Sequence, residues 1–230
     1  MITKLLTSPA ATKERPILFS APMVRALLDG SKTQTRRIYK NRKHPDTGCD
    51  MAASELVREP QHVMDRICPY GQVGDRLWVK ETWSEVGTMD PGLIVYRADY
   101  PACMPAEYQD LPPAAEIKWK SSLFMRRAAS RILLEIVGVR VERLQDISEA
   151  DSIAEGISIW SESERHGIKW NCPPHVRRYG EGDNGEDAGF GGGPVKDPHE
   201  AYRGVWSAIN GPGSWEANPW VWVVEFRRAA

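Results

Sequence analysis

The eight residues Pro219-Trp220-Val221-Trp222-Val223-Val224-Glu225-Phe226 constrain the fold more than any other stretch. They are mostly β-branched or aromatic and apolar at both parities, so a strand made from them has two faces to bury. An edge strand, or one lying on the surface, buries less than that. The chain must therefore set this segment between neighbouring strands with a packed layer on each side.

The neighbours are legible from the same kind of pattern. Arg15 to Phe19 is a short apolar strand. Val73 to Trp83 opens on a Gly74-Asp75 turn and then alternates Leu77, Val79 and Glu81 with Trp78, Lys80 and Thr82. Gly92 to Ala98 is a further strand. Ile132 to Leu144 is β-rich, and Gly138 inside it predicts a bulge or sharp bend. Short helices lie between. Pro22 to Asp29 has Pro22 suited to a first turn, apolar residues at helical spacing and Gly30 at its end. Ile147 to Gly156 has Ser148 as N-cap and Gly156 as terminator. Asp197-Pro198-His199-Glu200 opens a third helix that presents Tyr202, Val205, Trp206 and Ile209 on one face and ends at Gly211. About six strands and three short helices result, without the β-α alternation that a Rossmann sheet requires. The expected fold class is α+β, built on a small β-barrel with short flanking helices and long insertions.

Residues 1–14 read as a flexible N-terminus and residues 15–230 as a single domain. Insertions fall at about 39–68, with a helical piece around Ala52 to Val57, and at about 158–197, where Gly, Pro and charge dominate. Lys plus Arg number 30 against 31 for Asp plus Glu, so no global field advertises nucleic-acid binding and any such binding rests on a local patch. No apolar run reaches the roughly 18 residues of a membrane helix. The first residues lack the apolar centre of a signal peptide. These features predict a soluble, cytoplasmic protein without a membrane partner. Cys49, Cys68, Cys103 and Cys172 lie far apart, which predicts reduced thiols.

Chemistry concentrates at Gly30-Ser31-Lys32-Thr33-Gln34-Thr35-Arg36-Arg37. A hydroxyl is a poor nucleophile until a base takes its proton, and a lysine serves as that base only where burial or nearby cations lower its pKa. Residues three apart on an ideal strand face opposite ways. Lys32 can therefore assist Thr35 only from the turn before the strand. Glu155 closes a helix, where the helix dipole disfavours a carboxylate, so its placement requires a reason. The bland alternative is a solvated turn, a strand residue and a fraying helix end. A second constellation, Arg36, Arg37, Lys40, Arg42, Lys43, Arg126, Arg127 and Arg131, makes a phosphate-binding rim if it converges and a solvated face if it does not. Cys172-Pro173-Pro174-His175, with His166, Cys49, Cys68 and His62 elsewhere, lacks a second tight pair, so no metal is expected. The run Gly189 to Gly193 has neither a preceding strand nor a following Lys-Ser/Thr and reads as a connector. No cofactor is expected.

Taken together, Gly30-x-Lys32-Thr33-x-Thr35-x-Arg37, Gly74-Asp75-x-Leu77-x-Val79, the strand to Leu144 and Ser148 to Glu155-Gly156 resemble the ASCH family, which has a PUA-like β-barrel. Pro69-Tyr70-Gly71-Gln72-x-Gly74-Asp75 and Asn218-Pro219-Trp220-Val221-Trp222 resemble more closely the long ASCH proteins of phages and prophages. The resemblance covers roughly residues 15–227. It implies a protein acting on RNA or its components. In the small bacterial members that hydrolyse N4-acetylcytidine, the catalytic Lys, Thr and Glu correspond by motif to Lys32, Thr35 and Glu155. Arg37 is then expected to orient the substrate or hold Glu155, with Arg36, Thr33, Glu81 and Trp83 as further substrate contacts. The leading expectation is hydrolysis of the amide of an N4-acylated cytidine or cytosine. The alternatives are an RNA-binding module or single-stranded RNA nuclease using a basic cleft, and a phage accessory protein with a protein partner.

Overall fold

The computed structural model describes residues 12–87, 92–105, 107–108, 111–160, 169–171 and 197–229 of the chain. In order they form β1 (Glu14–Leu18), α1 (Ala21–Leu28), β2 (Gln34–Ile38), β3 (Arg42–Lys43), β4 (Asp50–Met51), α2 (Ala53–Leu56), α3 (Gln61–Ile67), β5 (Arg76–Lys80), β6 (Trp83–Val86) and β7 (Leu93–Tyr96). There follow β8 (Leu133–Arg143), α4 (Glu149–Ala154), β9 (Ser158–Trp160), β10 (Lys169–Asn171), α5 (Pro198–Asn210) and β11 (Trp220–Arg228). The fold is mixed α+β.

The main sheet runs β1-β5-β8-β11-β2, with β1 parallel to β5 and the other pairs antiparallel. β11 lies between β8 and β2, as its two apolar faces demand. Trp222, Val224 and Phe226 enter one core with Phe19, Val24, Leu27, Leu77 and Val79. Val221 and Val223 enter a second, with Leu144, Ile147, Tyr202, Val205, Trp206 and Trp215. The bulge expected near Gly138 is present: Glu225 pairs with Gly138 but Phe226 with Ile136, which leaves Val137 unopposed. The extra residue changes the strand's parity. Leu134 and Ile136 before it, and Val139 and Val141 after it, consequently all face the first core.

The closed barrel expected from the sequence requires correction. No ladder joins β1 to β2 among the described residues, so the sheet stays open. Side chains occupy the gap instead: Arg37 Nη2 donates to the Leu18 carbonyl at 2.7 Å, and the Phe19 and Phe226 rings meet edge to face. The strand reading from Val73 to Trp83 also divides, because the chain leaves the sheet after β5 and begins a separate hairpin of β6 and β7. Residues 39–68 are more than an excursion: they hold α2, α3 and the β3–β4 pair, and they bury Met51, Ala53, Leu56 and Val63 in the first core. The helical piece expected around Ala52 to Val57 is α2, whereas alternation and helical periodicity are too weak in α3 and the β3–β4 pair to announce them.

β1 begins at Glu14, at the edge of the segment expected to be flexible. The Gly-rich run, Cys172, His166 and His175 lie outside the described residues. No helix among the described residues is long and apolar enough to cross a membrane.

Trp222 is 1% exposed and packs on Tyr39 with ring centroids 5.6 Å apart. Trp222→Ala is expected to cost about 3–5 kcal/mol, the usual range for removing a buried aromatic, read from the midpoint of urea denaturation.

Candidate active site

Gly30, at φ +83°, ends α1, and the Asp29 carboxylate accepts from the Ser31 amide at 2.8 Å and its hydroxyl at 2.6 Å. The Lys32 amide then donates to the Ala26 carbonyl at 2.9 Å. Lys32 thus lies in the turn ahead of β2, where it must be if it is to work beside Thr35. On the other side, Ser148 caps α4 by accepting from the Asp151 amide at 3.1 Å, and the helix ends at Glu155. Gly156 follows at φ +95°, where an added Cβ would stand 3.1 Å from Ala26 Cβ and 3.3 Å from Lys32 Cβ. The close approach of the two backbones therefore requires glycine at this position.

The approach seats the Lys32 ammonium against the end of α4. Its Nζ donates to Glu155 Oε2 at 2.7 Å and to the Glu155 carbonyl at 2.8 Å, and both residues are buried. Arg36 adds a bond from Nη1 to Glu155 Oε1 at 3.3 Å, and the Tyr202 hydroxyl donates to the same oxygen at 3.5 Å. The carboxylate at the unfavourable end of a helix is explained: two cations from the β2 segment surround it.

Behind this pair runs a longer ionic chain. Arg36 Nη2 donates to Glu142 Oε1 at 2.6 Å and to Asp151 Oδ2 at 3.2 Å, while Arg140 joins Glu142, Asp151 and Glu225. Gln34 Nε2 donates to the Asp151 carbonyl at 2.8 Å and to its Oδ1 at 2.9 Å. Burial pulls the Lys32 ammonium below its ordinary pKa; Glu155 opposes the shift, and Arg37 and Arg36 add to it. Burial also opposes the Arg36 charge, but Glu155, Tyr202 and Glu142 outweigh it and hold the guanidinium above its usual range. Burial, reinforced by Glu155, pushes the Tyr202 phenol well up.

A recess opens along β2, lined by Thr35, Arg36, Arg37 and Ile38, by Glu155, by Met23 of α1, and by the α5 residues Tyr202, Val205, Trp206, Ile209 and Asn210. The structure therefore brings Lys32 and Glu155 into contact and places Thr35 with Glu155 on one recess. The Thr35 hydroxyl has no hydrogen-bond partner among the described residues, and the resting contact of Lys32 is with Glu155. Arg37 does not hold Glu155; Arg36 does, because residues two apart on a strand share a face and Arg36 points with Gln34 toward α4. Arg37 lies on the other face, over the Phe19 ring at 5.3 Å. Thr33 is exposed, and its backbone amide donates to the Ala154 carbonyl.

Glu81 and Trp83 fall outside the lining of this recess. Glu81 is 1% exposed and is held by Arg131, whose guanidinium also binds Asp99 and covers the Tyr96 ring at 3.9 Å. Burial raises the Glu81 carboxyl against the pull of Arg131. Trp83 packs with Met125 and Ala129. Of the basic residues, Arg36 and Arg131 are engaged in two carboxylate clusters, and Arg127 pairs with Glu14. Among the described residues no three His, Cys, Asp or Glu side chains are grouped to hold a metal ion.

Sequence reasoning missed Tyr202, Trp206, Glu142 and Asp151 as parts of the site. The available signal was Gln34-x-Arg36 at the start of a strand, two polar residues on one face that demand buried partners. Comparison with protein-family models, with curated proteins and with solved structures returns no match.

Chemically, the arrangement is a buried Lys32–Glu155 ion pair whose Glu155 lines the same recess as Thr35. Glu155→Ala, which strands the Lys32 ammonium in the interior, is expected to cost about 3–5 kcal/mol, and Lys32→Met less, because Arg36 still compensates Glu155. Paired urea titrations check the order. Hydrogen bonding from Gln34 and the charges of Arg36 and Arg140 hold the Asp151 carboxyl below its ordinary pKa, overriding the upward push of burial. That stability is complete above about pH 4, the unfolded carboxyl value, and is lost as pH falls through the lower folded value. Asp151→Asn should therefore flatten the acid limb of a stability–pH curve below that point.

Proposed function

We propose that the chain is an ASCH-type amide hydrolase with a PUA-like sheet, acting in the cytosol on an N-acylated aminobase, most simply N4-acetylcytidine or N4-acetylcytosine. The observation that carries this reading is the buried Lys32–Glu155 pair opening on the recess that Thr35 lines. Burial, which pulls the Lys32 ammonium below its ordinary pKa, favours a reacting form in which Lys32 is a neutral amine and Glu155 holds the pair's proton for the leaving group. Lys32 then takes the Thr35 proton as the hydroxyl oxygen bonds to the acyl carbon. Glu155 gives its proton to the departing base nitrogen as the C–N bond breaks. The products of this half are an acyl-Thr35 ester, a free aminobase and an ionised Lys32–Glu155 pair. Water next attacks the ester and loses its proton to Glu155, and Lys32 returns a proton to Thr35. Arg36 fixes Glu155, and Arg37 adds positive charge at the mouth.

Incubating the protein with N4-acetylcytidine and following release of cytidine tests the reading. Lys32→Ala and Thr35→Ala are each expected to lower turnover by roughly 10²–10⁴-fold. Wild-type turnover no faster than that of Lys32→Ala removes the hydrolase.

A second reading, binding of single-stranded RNA, is favoured by one surface feature. Leu123 and Phe124 are 63% and 77% exposed and stand in sequence between exposed Lys118 and Lys120 and exposed Arg126 and Arg127, of which Lys120 is paired with Glu85 and Arg127 with Glu14. An exposed ring among cations suits base stacking with phosphate contact. Binding of labelled single-stranded RNA that weakens linearly with log salt, and weakens further in Phe124→Ala, supports it; no binding at low salt rejects it.

A further inference from the structure

Antiparallel pairing sends the backbone groups of alternate residues to opposite edges of a strand. The Phe226 amide donates to the Thr33 carbonyl and the Tyr39 amide to the Trp220 carbonyl, both at 2.8 Å. With the register of β2 on β11, residues 35 and 37 therefore turn their backbone groups to β11, and Arg36 and Ile38 turn theirs away. β2 is the last strand of the sheet, and these outward groups have no hydrogen-bond partner among the described residues. The beginning of the same edge is occupied. The Thr33 amide donates to the Ala154 carbonyl at 2.8 Å, and Lys32 forms an antiparallel bridge with Glu155. The end of α4 thus fills the edge as far as Glu155 and stops. Gln34, which also turns outward, lies outside the recess lining; beyond it and the Arg36 amide come the Arg36 carbonyl and the Ile38 amide, in the recess that Arg36 and Ile38 line with Glu155, Tyr202 and Trp206.

We propose that this open edge reads the base: the Arg36 carbonyl accepts from the N–H of an acylated exocyclic nitrogen, and the Ile38 amide donates to the adjacent ring nitrogen. The proposal rests on the hydrolase reading and names how its substrate class is selected. An acylated N4 of cytosine, or N6 of adenine, keeps one N–H beside a ring acceptor, N3 or N1, on the edge that single-stranded bases offer to proteins. In this register the exocyclic nitrogen lies at Arg36, on the side of the edge nearer Glu155 and Thr35. The acyl carbon is carried to the reacting groups and the rest of the ring toward Ile38. Uracil in the same register sets its O4 against the Arg36 carbonyl, two acceptors face to face, and is refused. Because the contacts are to backbone, Arg36 both anchors Glu155 through its guanidinium and recognises the base through its carbonyl.

Proline at position 38 deletes one N–H and nothing from the ladder, a substitution that edge strands tolerate. Ile38→Val keeps the N–H. Binding of N4-acetylcytidine, its 3-deaza analogue, uridine and a valine-rich extended hexapeptide is measured by NMR titration of wild type, Ile38→Val and Ile38→Pro, with cytidine release followed separately. The expected result is binding of N4-acetylcytidine by wild type and Ile38→Val with a shift of the Ile38 amide in the wild type. Binding should weaken about tenfold in Ile38→Pro, and by a similar factor for the 3-deaza analogue on wild type, as one lost hydrogen bond predicts. Uridine should bind more weakly still. The analogue arm stands even if Ile38→Pro fails to fold. Equal binding of N4-acetylcytidine and its 3-deaza analogue overturns the proposal, as does preference for the hexapeptide. Turnover that ignores Ile38→Pro and the missing ring nitrogen leaves the hydrolase standing without this recognition. Binding that follows the expected pattern without turnover leaves the recognition standing without the hydrolase.

Discussion

The carboxylate of Glu155 has lost its water, and everything around it answers that loss. A carboxylate removed from solvent costs several kcal/mol unless partners replace the hydration, and helix geometry at a C-terminus adds to the cost. Lys32 and Arg36 supply the replacement, with Tyr202 at longer range. Each of these partners is itself constrained. Lys32 is fixed by the turn at Gly30, Arg36 by the parity of β2, and Tyr202 by the helix that Asp197 and Pro198 begin. One buried charge therefore ties three distant parts of the sequence to a common geometry.

The second tie is β11, which divides the interior in two. Its even residues serve the core under α1 and its odd residues serve the core under α5. The ionic chain from Arg36 through Glu142 and Asp151 to Arg140 and Glu225 crosses the same face of the sheet and holds α4 above it. Replacing a buried ion pair with apolar groups of equal volume is often neutral or stabilising, so such a chain is a costly way to gain stability alone. Its value is positional, because it fixes the orientation of Asp151 and Glu155 on a helix of only six residues.

Much of this arrangement is legible in the amino-acid sequence. The two-faced character of residues 219–226 requires an internal strand, Gly138 marks the parity shift in β8, and Ser148 with Gly156 frames α4, each through a local rule of backbone or burial. The pairing of Lys32 with Glu155 is suggested by motif resemblance, and the helix-end carboxylate hints at a cationic partner. The open sheet is not legible, because ladder pairing between β1 and β2 depends on the space taken by Phe19 and Arg37, which is set by tertiary packing. The exchange of roles between Arg36 and Arg37 is likewise hidden, since it turns on the register of one five-residue strand. Glu81 and Trp83 look like neighbours of the site in sequence, yet Arg131 and Met125 claim them in space.

The position of β2 at the border of the sheet carries one more consequence. A strand with a row of unsatisfied amides and carbonyls is a template on which another chain can grow, and proteins shield such borders with helices, bulges or charge. Here the shield is the end of α4 at one end of the strand and α5 along the recess, with Tyr202, Val205 and Trp206 buried beneath it. Partial unfolding that lifts α5 without melting the sheet would uncover Arg36 together with the apolar floor of the second core. The helix that walls the recess thus also stands beside the border on which a second chain could grow.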